Sequence, residues 1–153
     1  MEKSLIENVF ESEIKEIFQL KEYDAGMYSP LVLAYIGDAV YELIIRTIIV
    51  NRGNCPVNQM HKKSSSLVKA PAQAEFITLL MEELTEEEQA IYKRGRNAKS
   101  ATSAKNATIQ DYRMATGFEA LIGYLYLKGN KERLVELVLH ALQKKGVLKI
   151  DEV

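Results

Sequence analysis

Three charged residues, Asp38, Glu42 and Arg46, recur at intervals of four in the otherwise apolar stretch Ser29–Val50, SPLVLAYIGDAVYELIIRTIIV. On a helix that spacing places them on one stripe, with the small Ala34 one turn before. A further acid, Glu119, is the only charged residue in Met114–Leu127, MATGFEALIGYLYL. A carboxylate removed from water needs a cation, a metal or hydrogen bonds. Two carboxylates brought together repel unless a proton or a cation lies between them. Hard divalent ions suit that place, because Mg²⁺ prefers oxygen ligands, retains several waters and is commonly held by one or two carboxylates plus substrate phosphate. Asp38 and Glu119 supply about that minimum and are the candidate metal ligands. Small residues flank both acids: Ala34 and Gly37 beside Asp38, and Ala115, Thr116, Ala120 and Gly123 beside Glu119. They would let two helix backbones approach closely enough to bring the acids into one pocket. The structural alternative pairs Glu42 with Arg46 and bonds Asp38 and Glu119 to hydroxyls such as those of Tyr35 or Thr116.

A basic segment precedes the second acid. Tyr92–Ser100, YKRGRNAKS, continues through Lys105 and Asn106 and meets no acid until Asp111. Cations for phosphates, with amides and hydroxyls for sugar edges, are the side chains a polyanion contact uses. Arg94, Arg96, Asn97, Lys99 and Lys105 are therefore candidate contacts, and Lys62 and Lys63, beside His61, would extend the surface. A solvated charged face explains the same residues. Other chemistries find no support: His61 and His140 fit no metal-ligand pattern, Cys55 stands alone, and neither a Gly-rich phosphate loop nor a nucleophile elbow occurs.

These residues need elements to position them. Leu5, Ile6, Val9, Phe10, Ile14, Ile17 and Phe18 predict an amphipathic helix over about Ser4–Lys21. Ser29-Pro30 caps a buried helix that Arg52-Gly53 closes. Pro56 opens a segment that Pro71 breaks or bends, after which Ala74, Ile77 and Met81 resume helical spacing. Thr85-Glu86-Glu87-Glu88 has the form of a capping box, and its helix ends near Gly95. Gly95–Thr108 reads as a long loop, Ile109–Leu127 as a helix closed by Gly129, and Asn130–Lys145 as the last helix. No period-two alternation appears, so the fold class is all-α. With 153 residues, 47% of them hydrophobic, one domain with a proper core is expected. The net charge of −1 hides an uneven distribution, and a single cysteine excludes an internal disulfide. The acidic N-terminus is no signal peptide and charges interrupt every apolar run, so the expected setting is the cytoplasm, without a membrane segment.

Ala34-Tyr35-Ile36-Gly37-Asp38-Ala39-Val40-Tyr41-Glu42 resembles the signature helix of the ribonuclease III catalytic domain, and Gly117–Leu127, GFEALIGYLYL, is similar to that family's later acidic helix. His61–Ser65 and Lys93–Ser100 add a resemblance to the bacterial Mini-ribonuclease III subgroup, and together the match covers about residues 29–142, leaving residues 1–28 as an N-terminal helix and connector. By position, the family's metal-binding aspartate falls on Asp38 and its metal-binding glutamate on Glu119, making these the implied catalytic pair. Two other family acids do not carry over, since Ala34 and Thr116 stand in their places. A full second-metal site is therefore unsupported.

The resemblance implies a homodimeric, Mg²⁺-dependent endoribonuclease, with Mn²⁺ as a substitute, that cuts double-stranded RNA to leave 5′-phosphate and 3′-hydroxyl ends. The implied substrate is the base-paired stem of a large-subunit ribosomal RNA precursor, with a ribosomal protein as a possible helper. By the same resemblance, no double-stranded RNA-binding domain is expected after the catalytic region, which would give the basic residues a larger share of the binding. Two other classes remain open: a catalytically inactive duplex-binding module of the same fold, suggested by Ala34 and Thr116, and a helical protein whose basic segment meets an acidic partner.

Overall fold

A computed structural model describes residues 9–99 and 108–148. Among these residues it contains seven α-helices, two 3-10 turns and no strand. The helices are α1 (Val9–Ile17), α2 (Pro30–Val50), α3 (Val57–Val68), α4 (Ala70–Leu80), α5 (Glu86–Asn97), α6 (Ile109–Lys128) and α7 (Lys131–Lys145). None is long and apolar enough to cross a membrane.

Local chemistry sets most boundaries. The Ser29 hydroxyl accepts from the Val32 amide at 3.4 Å, and Pro30 takes the first helical position. The Thr85 capping box is complete, with bonds of 3.1 Å from the Glu88 amide and 2.9 Å from the Thr85 amide to the Glu88 carboxylate. Thr108 caps α6 at 3.0 Å from the Asp111 amide, and Asn130 caps α7. Gly129 and Gly146 close α6 and α7 at φ +84° and +83°, where a Cβ would be strained.

Helix α6 is the centre of the core. Its run from Ala115 to Leu125 is buried apart from Glu119, and it packs chiefly against α2, α5 and α4, with α7 closing the far side over Leu134, Leu137, Val138 and Leu142. A helix apolar all round belongs in the interior. Helix α2 differs from the expected fully buried span. Leu33, Ala34, Gly37, Tyr41, Ile45 and Ile49 face inward, whereas Leu31, Val32, Tyr35, Leu43 and Val50 lie exposed together with Asp38 and Arg46.

Three other boundaries moved. The chain turns away after Ile17, with Gln19 at φ +53°, and the apolar stripe of α1 does not seek the core: Phe10, Ile17 and Phe18 are exposed while Glu11 is buried against Lys15. The break before α4 falls at Lys69, and Pro71 sits inside the first turn of α4, where its missing N–H has no partner to lose. Helix α5 continues through Gly95 to Asn97, because Gly95 serves helix contact rather than termination.

Candidate active site

Two glycines determine how closely α2 and α6 cross. A Cβ built on Gly37 would lie 1.8 Å from the Glu119 carbonyl oxygen, and one on Gly123 would lie 2.0 Å from that of Leu33. Backbone therefore touches backbone on both sides of the crossing. A second crossing of the same kind joins α5 to α6, where a Cβ on Gly95 would meet the Gly117 Cα at 2.9 Å and one on Gly117 the Tyr92 ring at 2.7 Å. The small-residue surface of α6 is thus shared between two neighbours.

The first crossing brings together the acids. Asp38 follows Gly37 on the exposed side of α2, and its carboxyl reaches that of Glu119, which is partly buried on α6. Burial, then the charge of Asp38 and the hydrogen bond between the two carboxyls, pushes Glu119 up to about 8. The Gln73 amide, donating to Glu119 Oε2 at 3.3 Å, works in the opposite direction. Of the structural alternative, the bonds from the two acids to the Tyr35 and Thr116 hydroxyls are not realised. Tyr35 is 82% exposed, and the Thr116 hydroxyl donates to the Tyr112 carbonyl of its own helix at 3.0 Å. Glu42 and Arg46 do pair at 2.8 Å, leaving Asp38 the member of the stripe directed at α6.

The floor of the site is built by residues with no obvious sequence signal. Tyr41 packs edge-on against Phe118, ring centroids 5.2 Å apart, and its hydroxyl donates to the Leu67 carbonyl at 2.8 Å. Burial and the neighbouring Glu119 raise the Tyr41 phenol well above its ordinary range, so it stays protonated. Gln73 donates to the next carbonyl, that of Val68, at 2.7 Å. The last carbonyls of a helix have no partner within it, and here residues of α2 and α4 take two of those of α3. Tyr41 was legible only as a core aromatic, and Gln73 only as a polar residue in an apolar helix.

The basic residues divide into groups. Lys62 and Lys63 are exposed on α3, and Lys63 lines a cavity of about 410 Å³ with Ile45, Arg52, Cys55 and Leu142, on the side of α3 toward the end of α2. Arg94, Arg96 and Asn97 occupy the last turn of α5, so that Arg96 and Asn97 are helical where a loop is expected, and Lys99 lies exposed just beyond it. Arg96 sits 5.6 Å from the centroid of the Tyr92 ring and donates to Asn97 at 3.2 Å. The Gly95 contact with Gly117 and Ala120 fastens this turn alongside the part of α6 that carries Glu119. Lys105 lies outside the described residues.

The donor set fits one hard divalent cation. The two carboxyl groups face each other where a proton or a cation must relieve their repulsion, and both supply oxygen. Ala34 is buried and Thr116 is bonded within α6, so neither extends the set, and no group of three or more metal-ligating side chains occurs among the described residues. Waters and a substrate phosphate would have to complete the coordination.

Residues 31–130 match the Ribonuclease III domain family. The chain is 57% identical over 122 residues to the Mini-ribonuclease 3 of Clostridium tetani, covering 78% of this chain and 80% of that one. It is 51% identical over 125 residues to the Mini-ribonuclease 3 of Enterococcus faecalis, covering 80% and 95% of the two. The crystal structure of a Fusobacterium nucleatum protein superposes with a TM-score of 0.72 at 32% identity, over 83% of this chain and 100% of the other. Since both acids and the two glycines that bring them together lie inside the matched segment, the chain belongs to the ribonuclease III domain family and is an endoribonuclease of that family.

Proposed function

We propose that the chain hydrolyses double-stranded RNA at a Mg²⁺ site held by Asp38 and Glu119. The observation carrying this reading is the contact between the two carboxyls at the glycine crossing of α2 and α6, in a chain of this family. A divalent ion bound there supplies a water of lowered pKa and neutralises charge on the attacked phosphate. Asp38, at the solvent edge, is placed to meet the phosphodiester. Glu119, deeper and braced by Gln73, holds its carboxylate in a fixed position as the second ligand. The products are 5′-phosphate and 3′-hydroxyl ends.

The basic turn of α5 and the lysines of α3 are proposed to bind the sugar-phosphate backbone. A-form duplexes present 2′-hydroxyls and phosphates in a wide minor groove, so recognition is mainly of shape. The reading includes a homodimer with one site for each strand, supported by the apolar side chains of Leu31, Val32, Tyr35, Leu43 and Val50 that α2 leaves in solvent. The proposed substrate is the base-paired end of a large-subunit ribosomal RNA precursor, with a ribosomal protein as a further partner, in the cytoplasm. Mn²⁺ is expected to replace Mg²⁺.

The test is cleavage of a duplex RNA with Mg²⁺, with EDTA, and with the variants Asp38→Asn and Glu119→Gln. Chelator-sensitive cutting by the wild type, lost in both variants while duplex binding survives, is the expected result. Unchanged cutting by either variant would move the active site elsewhere. The two-carboxylate donor set favours one rival, a duplex-binding module without catalysis, which predicts tight binding and no chelator-sensitive cleavage.

A further inference from the structure

Gln73 is 2% exposed on α4, among Ala74, Phe76, Ile77 and Leu80, where an apolar side chain would serve packing alone. Its amide nitrogen donates twice, to the Val68 carbonyl at 2.7 Å and to Glu119 Oε2 at 3.3 Å. Its amide oxygen is buried and, among the described residues, has no hydrogen-bond partner. Turning the amide over would not help, because the oxygen would then face the Val68 carbonyl, which can only accept. The backbone end of α3 therefore dictates which edge of the amide faces Glu119.

That arrangement leaves a buried oxygen unsatisfied, which a methionine or leucine of similar volume would avoid. What it gains is a donor aimed at one carboxylate oxygen. With Oε2 held, rotation about the last torsion of Glu119 is restricted, and the direction of the carboxylate's remaining lone pairs relative to Asp38 is set. Among the described residues Gln73 also joins Glu119 to the last carbonyl of α3, the helix carrying Lys62 and Lys63.

We infer that Gln73 is the positioning residue of the metal site, its amide orienting the Glu119 carboxylate toward the ion shared with Asp38. The inference rests on the proposed assignment of Asp38 and Glu119 as ligands. Groups that orient a ligating carboxylate are typically worth ten- to a hundredfold in metal affinity or activity. The contact is long as it stands, at 3.3 Å. With a cation between the acids Glu119 is a full carboxylate, and a charged acceptor shortens and strengthens the bond from the amide.

The experiment measures Mn²⁺ affinity by electron paramagnetic resonance for the wild type and for Gln73→Met, Asp38→Asn and Glu119→Gln. Gln73→Met keeps the volume and removes the donor. It is expected to bind Mn²⁺ about tenfold or more weakly, to need correspondingly more metal for half-maximal cutting, and to bind duplex RNA in EDTA as the wild type does. Wild-type Mn²⁺ affinity in a folded Gln73→Met, with binding lost in both acid variants, would overturn the inference while leaving the site standing. Wild-type affinity in the acid variants would instead overturn the site, and the role of Gln73 with it.

Should Gln73→Met fail to fold, the wild type decides alone. The side-chain NH₂ protons of Gln73, followed by NMR during a Mg²⁺ titration, are expected to exchange slowly with solvent and to move downfield as the bond to Glu119 tightens. Resonances indifferent to Mg²⁺ would refute the positioning role.

Discussion

Replacing Gly37 by alanine tests the geometry on which the site depends. The added Cβ would lie 1.8 Å from the Glu119 carbonyl oxygen, 2.7 Å from its carbon and 2.8 Å from the Gly123 nitrogen. All three atoms are backbone in the middle of α6, so no side chain can swing aside. Reaching even 3.0 Å, below which Cβ atoms essentially never sit, requires the helices to separate by about 1.2 Å at the crossing. That opening would loosen the packing of Leu33, Tyr41 and Ile45 against Phe118, Leu121 and Ile122, all nearly inaccessible. Overpacking of this kind costs roughly 3 kcal/mol or more, against about 1 kcal/mol gained from the better helix propensity of alanine. A net loss of about 2–4 kcal/mol corresponds to a melting temperature lower by roughly 10 °C for a chain of this size. Separation by an ångström also pulls Asp38 from Glu119, and a misplacement of that order lowers cleavage about a hundredfold. Thermal melts and single-turnover cleavage well below the melting temperature measure the two effects separately. Gly123→Ala should behave alike, since its Cβ would lie 2.0 Å from the Leu33 carbonyl oxygen, and the double variant should lose less than the sum because one opening serves both. Gly37→Ala melting within 2 °C of the wild type, with full activity, would refute the close crossing.

Other outcomes follow from the charges. In EDTA, Glu119 is held up to about 8 by burial and by Asp38, so the folded state binds this proton more tightly than the unfolded chain. Stability must then fall as pH rises from about 4.5 to about 8, by a few kcal/mol at most; Glu119→Gln should match the wild type at pH 4 and melt higher at pH 9, and a pH-independent difference in melting temperature would contradict the assignment. Replacing Arg94, Arg96 and Lys99 by alanine should weaken duplex binding and flatten its log–log salt dependence by about 0.7–0.9 per lost phosphate contact, as read by fluorescence anisotropy; an unchanged slope would place the RNA surface elsewhere. Arg133 donates to both oxygens of the buried Glu88 at 2.8 and 2.9 Å and to the Glu83 carbonyl at 2.8 Å. Arg133→Ala should therefore cost about 3 kcal/mol in urea unfolding while leaving cleavage intact at temperatures where the variant is folded.

Much of this protein is legible along the chain because short-range chemistry determines it. The Ser29, Thr85, Thr108 and Asn130 caps and the closing glycines at 129 and 146 act over three or four residues, so the helix ends they mark stand where the sequence places them. The isolated acids in apolar runs, and the small residues beside them, were sufficient to nominate Asp38 and Glu119. The α1 stripe and Gly95 show where local reading fails: periodicity says which residues share a face, and glycine says that something comes close, but neither names the neighbour. The tertiary structure turned Glu11 inward and Phe10 outward on α1, and it extended α5 past Gly95 because Gly117 waits across the crossing.

What no sequence pattern could supply is the distant partner that each buried polar side chain of the site finds. Gln73 meets Glu119 across 46 residues, and Tyr41 meets the Leu67 carbonyl across 26. Those contacts depend on where helices cross, and backbone atoms touching at Gly37 and Gly123 set that crossing. The acids were visible in the sequence, but their contact and the amide that braces it exist only because two helix backbones pack without a side chain between them.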